Sequence, residues 1–160
     1  AEVELLDSEK QQTALKDAIK NIRKSYDYVF IDCPPSIGIL TINGLVASDT
    51  AIIPVQTEYF ALEGLNQVLN TIEMVRQKLN HKLKVEGIVF TMYDVRTKLS
   101  EEVVASVKAS LNEYIFESFI PRNIRLAEAP SYGEPITTYD SGSRGAESYR
   151  LLAAELMNKN

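Results

Sequence analysis

Tyr26-Asp27-Tyr28-Val29-Phe30-Ile31-Asp32-Cys33-Pro34-Pro35-Ser36 is the stretch from which the fold is read. Tyr28 to Ile31 is an unbroken apolar run of aromatic and β-branched residues, the pattern of a short strand buried on both faces. It stops at Asp32. A carboxylate at the carboxyl end of such a strand can hold a magnesium ion or its water shell beside a phosphate without disturbing the core. The same aspartate can equally cap the turn that follows it. Pro34 and Pro35 remove two backbone donors and fix φ twice, so the carboxylate is followed by a stiff loop.

Upstream, Ser8 and Gln11 have the spacing of a capping box, and Leu15, Ile19 and Ile22 follow at helical intervals up to Ser25. Downstream, Leu40 to Ala47 reads as a helix and Thr50 to Val55 as the next buried strand, with Pro54 near its end. Leu62, Leu65, Leu69, Ile72, Val75 and Leu79 keep the apolar spacing of a long helix that ends near Asn80. Val85 to Met92 is again strand-like. Ser100, Glu101 and Glu102 open a helix with Val103, Val104, Val107 and Leu111 on one face. Ile115 to Ile120 reads as a fourth strand and Pro121 to Tyr139 as a long, partly helical loop. Ser143 to Met157 closes the chain as a helix with Tyr149, Leu152, Ala153 and Leu156 inward. Strands alternating with helices predict an α/β domain, one unit over residues 1–160, with a parallel sheet and helices on both faces. In such sheets ligands bind beyond the strands' carboxyl ends, so the segments after Ile31, Val55, Met92 and Ile120 are expected on one rim.

Composition narrows the function. The 160 residues are 45% hydrophobic and 24% charged, enough to bury a core, and the net charge is −5. That argues against a nucleic-acid binder held by global charge and leaves room for a local basic patch. A single cysteine, Cys33, makes no internal disulfide or multi-thiolate metal site, which fits a reducing cytoplasm. No run of about 18 apolar residues predicts a transmembrane helix, and the first residues lack the marks of a signal peptide. His81 reads as a surface group near a helix end. No histidine or lysine adjoins Cys33 to lower its pKa, so thiolate catalysis is not expected.

The Tyr26–Ser36 stretch closely resembles the Walker B and switch II segment of the ParA/Soj chromosome and plasmid partitioning ATPases. Pro54-Val55-Gln56-Thr57-Glu58-Tyr59-Phe60-Ala61-Leu62-Glu63-Gly64, Thr91-Met92-Tyr93-Asp94-Val95-Arg96-Thr97, Ile120 to Ser131 and Ser143-Arg144-Gly145-Ala146 agree with that family in order and spacing. The resemblance implies a mostly parallel P-loop NTPase-like sheet, with ATP and Mg2+ as cofactors. It implies that Asp32 positions magnesium through water, and that Pro34, Pro35 and Ser36 form the γ-phosphate-sensing switch. By the same resemblance, Met92, Pro121, Arg122 and Asn123 line an adenine pocket, and Arg96 and Arg125 bind nonspecific DNA, with Lys98 and Arg122 able to extend the patch. It further implies an ATP-bound homodimer, a ParB/Spo0J-like centromere-binding partner, and a cytoplasmic, nucleoid-associated protein. Tyr59, Phe60, Tyr132 and Tyr139 are read as packing or interface residues rather than base-stacking platforms. The final Asn158-Lys159-Asn160 lacks the basic amphipathic tail of a membrane-surface anchor, which sets the chain apart from the MinD branch and predicts no membrane partner.

One element of the family pattern is missing. A P-loop requires G-x-x-x-x-G-K-[ST], and none of the 7 glycines is followed by lysine. The sequence is therefore read as the carboxyl-terminal portion of such an ATPase, lacking the P-loop strand and not expected to hydrolyse ATP alone. A noncatalytic α/β interaction module that has lost nucleotide chemistry is the alternative. A phosphoacceptor receiver domain with Asp32 as acceptor is a third reading, against which stands the lack of a well-placed acidic pair.

Overall fold

A computed structural model describes residues 11–159. The capping-box residue Ser8 lies outside the described residues. The elements are α1 (Ala14–Ile19), a 3-10 turn (Ile22–Ser25), α2 (Ile39–Ala47), β1 (Thr50–Gln56), α3 (Ala61–Lys78), β2 (Lys84–Thr91), α4 (Lys98–Ser110), α5 (Ile124–Glu128), a second 3-10 turn (Ala129–Tyr132), α6 (Ile136–Tyr139) and α7 (Arg144–Lys159). The α/β class and the parallel sheet are as the sequence predicts. Lys84 N donates to Asp49 O and Thr57 N to Thr91 O, so both strands advance in the same direction.

The chain folds as two compact units. One contains the described residues up to Ala51 and Asn66–Glu86; the other contains Ile52–Leu65 and the chain from Gly87 onward. In the first, the Asn80 side chain donates to the carbonyls of Leu45, Val46 and Ser48 at 3.1, 3.3 and 2.7 Å. It thereby satisfies carbonyls that the end of α2 leaves without helical partners. Asn43, also buried, is fixed by Gln11 O, Ile39 O and Leu15 N.

In the second unit, Val89, Phe116, Ile120 and Leu156 form a core with Ile52, Leu126 and Leu152 packed against it. A smaller cluster joins Ala129, Ile136 and Ala146. The Ser143-Arg144-Gly145-Ala146 motif has a packing explanation there. Ser143 caps α7 by accepting Ala146 N at 3.2 Å, and a Cβ on Gly145 would lie 2.6 Å from Leu126 Cγ. Only part of the predicted α7 face points inward. Leu156 is buried and Leu152 half-buried, whereas Tyr149 and Ala153 are exposed.

Two predicted strands differ from expectation. Tyr28–Ile31 is extended but forms no strand, and Tyr28, Val29 and Phe30 are 45%, 40% and 73% exposed. No described segment offers it a hydrogen-bonding ladder, so the apolar run has nothing to bury itself against on that side. The period of two survives in the side chains. Tyr28 and Phe30 stack on each other with centroids 6.3 Å apart, while Ile31 and Cys33 meet α2 at Gly44.

Ile115–Ile120 runs parallel to β2 without forming a regular strand: an isolated bridge joins Ile88 to Ile115, and a second, Tyr93–Pro121, follows just beyond both segments. Phe116 N donates to Ile88 O and Ile120 N to Phe90 O, so a longer stretch of this segment faces a shorter one of β2. Its chain must bulge between them. Glu155 of α7 stabilises the bulge: its carboxylate accepts Glu117 N at 2.7 Å, Ser118 N at 2.9 Å and the Tyr114 hydroxyl at 2.8 Å.

Candidate functional site

Three of the four loop segments expected on one rim come together in the second unit. β1 ends at Gln56, and the next residue, Thr57, is 4% exposed. Its hydroxyl reaches the Met92 carbonyl at 3.3 Å and Ser100 Oγ at 3.1 Å. Met92 ends the β2 run with φ of 53°, a left-handed conformation that costs a residue with a Cβ about 1–2 kcal/mol. The reversal sends Tyr93 into its bridge with Pro121. Arg122 N donates to Tyr93 O at 3.0 Å. Met92 and Pro121–Asn123 are therefore neighbouring loops, as an adenine pocket made from them requires. Asn123 is partly committed elsewhere: its side-chain oxygen accepts Arg125 N at 2.8 Å and caps α5.

The Met92–Thr97 turn rests on a buried hydroxyl network that the sequence reading missed. Ser100 was expected to open α4; instead Thr97 caps the helix and Ser100, 3% exposed, sits in its first turn. Ser100 Oγ accepts the Thr97 hydroxyl at 2.9 Å and Asp94 N at 3.3 Å. The Thr57, Thr97 and Ser100 side chains thus tie the loop after β1 to the loop after β2. Thr-x-x-Ser at a helix start was the only local signal for this, and it points as readily to a simple cap.

Arg96 and Arg125 are exposed, and both are engaged by carboxylates. Arg96 makes a two-pronged pair with Asp94, Nε to Oδ1 at 2.9 Å and Nη2 to Oδ2 at 2.7 Å. This hydrogen bonding holds the Asp94 carboxyl well below the usual range and raises Arg96. Arg125 contacts Glu128 at 2.9 Å and Asp140 at 3.3 Å, and Glu128 also accepts the Tyr139 hydroxyl at 3.2 Å. Lys98 and Arg122 form no ion pair with another described residue.

In the first unit, Asp32 and the Pro34–Ser36 loop are exposed. Thr41 of α2 donates its hydroxyl to Ser36 O at 2.6 Å and so ties the loop to the helix. Burial, and then the Asp32 charge, raise the Cys33 thiol, which agrees with an unreactive cysteine. Among the described residues no three His, Cys, Asp or Glu side chains group to hold a metal. A single exposed carboxylate such as Asp32 suits an ion held mainly by water and phosphate oxygens, which it would contact through a water, and not a cage built from protein alone. His81 is exposed, with Nδ1 2.8 Å from Arg76 O. No helix among the described residues is long and apolar enough to cross a membrane.

Residues 1–85 match the family model described as an AAA domain. The chain is 48% identical over 160 residues to the chromosome partitioning protein ParA of Myxococcus xanthus, covering 100% of this chain and 56% of that protein. It is 51% identical over 156 residues to the sporulation initiation inhibitor protein Soj of Bacillus subtilis, covering 98% and 62%. Among solved structures, it is similar to cobyrinic acid a,c-diamide synthase from Mycobacterium smegmatis with bound ATP analog and magnesium. That match has a TM-score of 0.79 and 36% identity, over 98% of this chain and 57% of that one. The chain thus spans less than two thirds of the length of the relatives it matches.

Proposed function

Because this chain belongs to the AAA domain family, among its ParA/Soj-like partitioning ATPases, we propose that it carries the magnesium, switch, adenine and DNA-facing portion of an ATPase that partitions chromosomes or plasmids. Similarity along 100% of this chain to the chromosome partitioning protein ParA of Myxococcus xanthus is the observation that carries this reading. In it, Asp32 orients a water of the magnesium ion, which supplies charge neutralisation at the nucleotide phosphates. Pro34, Pro35 and Ser36 follow the γ-phosphate through a stiff loop anchored at Thr41. Met92 and Pro121 offer polarizable and flat apolar walls to the adenine ring, with Arg122 and Asn123 at its edge.

Arg96 and Arg125, doubled by the two-fold axis of an ATP-bound homodimer, contact DNA phosphates despite a net charge of −5. Hydrolysis, stimulated by a ParB-like partner, releases dimer and DNA within the cytoplasmic nucleoid. The phosphate-cradling glycines and lysine must come from sequence outside this chain.

Calorimetric titration of Mg-ATP into this chain, into the whole reading frame that encodes it, and into the Asp32→Ala variant of that frame tests the proposal. Binding by the whole frame alone, weakened without Asp32, is the expected result. Binding by neither form overturns it in favour of an interaction module that has outlived its nucleotide chemistry.

A further inference from the structure

Asp94 occupies the Arg96 guanidinium in the way a nucleic-acid phosphate would. The fork of Nε and Nη2 is filled by both carboxylate oxygens, at 2.9 and 2.7 Å. A phosphodiester presents two anionic oxygens to the same fork, so carboxylate and phosphate are competing partners for one cation.

The two members of the pair are not equally free to move. The Asp94 side chain is 17% exposed and that of Arg96 82%. Asp94 is held from several directions: its N–H donates to Ser100 Oγ, its carbonyl accepts both the amide and the hydroxyl of Thr97, and Oδ1 also accepts Arg96 N at 3.0 Å. The acid is thus part of a rigid turn, while the arginine lies over it, open to solvent. Arg125 is also paired, but by one oxygen each of two carboxylates, Glu128 and Asp140, which are more exposed than Asp94.

We propose that Asp94 is an intramolecular phosphate mimic that holds Arg96 in reserve, so that DNA gains this arginine only by displacing a carboxylate. The proposal rests on the reading of Arg96 as a DNA-facing residue. Its consequence is deliberate weakness. Each exchange breaks one charged pair for each one formed, and it leaves a bare carboxylate beside the DNA backbone. A protein that must leave DNA after each cycle gains from such contacts, whereas a free arginine would grip harder. Since Asp94 stays ionised through the physiological range, the device answers to phosphate and salt, and not to pH.

Asp94→Asn is the direct test, because asparagine keeps an oxygen for Arg96 N while it removes the charge and replaces the oxygen that accepts Nη2 with an amide donor, so the fork is released and the turn is kept. The whole reading frame with Mg-ATP is titrated with a random-sequence duplex over a range of salt. Asp94→Asn is expected to tighten binding roughly 2- to 5-fold, the scale of an exposed ion pair. Arg96→Ala should weaken binding and reduce the salt slope by about 1. In the Arg96→Ala background, the gain from Asp94→Asn should vanish.

Glu102→Gln, on an exposed face of α4, controls for the change in total charge. Glu128→Gln, tested against Arg125→Ala, repeats the cycle at the second pair, and thermal unfolding verifies that each variant is folded. A gain no larger than that of Glu102→Gln, or one that persists without Arg96, overturns the mimic and leaves the DNA-facing reading intact. DNA binding that is indifferent to Arg96→Ala overturns both.

Discussion

Removing a single hydroxyl, in Thr57→Val, should loosen the turn that carries Met92. The Thr57 hydroxyl is the donor to the Met92 carbonyl at 3.3 Å and is shared with Ser100 at 3.1 Å. Valine fills the same volume without either bond. An unpaired buried polar group costs about 1–3 kcal/mol, and the buried methyl returns at most about 0.8 kcal/mol. With the full return the net loss is then about 0.2–2 kcal/mol, at about 2–4 °C of melting temperature per kcal/mol for a domain of this size. Ser100→Ala should cost about 1 kcal/mol, since Thr57 keeps Met92 and Thr97 keeps Asp94. Both variants break the same contact, so the double variant should fall short of the sum by about 0.5 kcal/mol or more. Denaturant unfolding of the whole reading frame measures all three, with Thr57→Ser as the variant that retains the hydroxyl. If Met92 is a wall of the nucleotide site, Thr57→Val should also weaken ATP binding several-fold more than Thr57→Ser does. A Thr57→Val protein as stable as the parent, or strict additivity with Ser100→Ala, would refute the coupling between the two loops.

Gly87→Ala would place a Cβ 2.7 Å from Phe116 Cε2 and 2.9 Å from Tyr114 Cδ1, and Phe116 is fully buried; a loss of about 1–3 kcal/mol in chemical denaturation is expected from overpacking. Glu155 has its native pKa lowered because the hydrogen bonds from Ser118, Glu117 and Tyr114 outweigh the opposing cost of burial. Its stabilisation is therefore present above the ordinary value of 4.5 and is lost as pH falls through the depressed native value, so Glu155→Gln should flatten the acid limb of a stability-versus-pH curve. The chain by itself should show no ATP hydrolysis in a phosphate-release assay; magnesium-dependent turnover abolished by Asp32→Ala would contradict the need for an outside P-loop. With Tyr28, Val29 and Phe30 exposed on an unpaired extended segment, the isolated chain should associate with rising concentration in sedimentation experiments, and a strictly monomeric species would count against that segment being sticky.

What the sequence made legible, and what it did not, follows from the range of the forces involved. The long helix α3 is plain because its apolar residues repeat at short, regular intervals, and β1 and β2 because their apolar runs are bounded by turns and helices. Tyr28–Ile31 has an equally good strand pattern and is not a strand. Apolarity states what a segment will bury, but a ladder needs a neighbour that no local pattern supplies. Ile115–Ile120 shows the complementary case. Its pairing with β2 is real, and its irregularity is set by Glu155, 37 and 38 positions away from the two amides it accepts.

The candidate site divides in the same way. Asp32, Pro34, Met92, Pro121 and the two arginines stand out by residue type and motif, because their chemistry is unusual where it occurs. Thr57, Ser100 and Asp94 are ordinary polar residues whose role exists only once two loops have met. Of these, Asp94 most changes the reading of the surface, because an arginine recognised by motif looks like a free cation until the carboxylate two residues before it is found in its grasp. Charge counted along the sequence therefore overstates the positive surface left free, and the pairs Asp94–Arg96 and Glu128–Arg125 are where the overstatement lies.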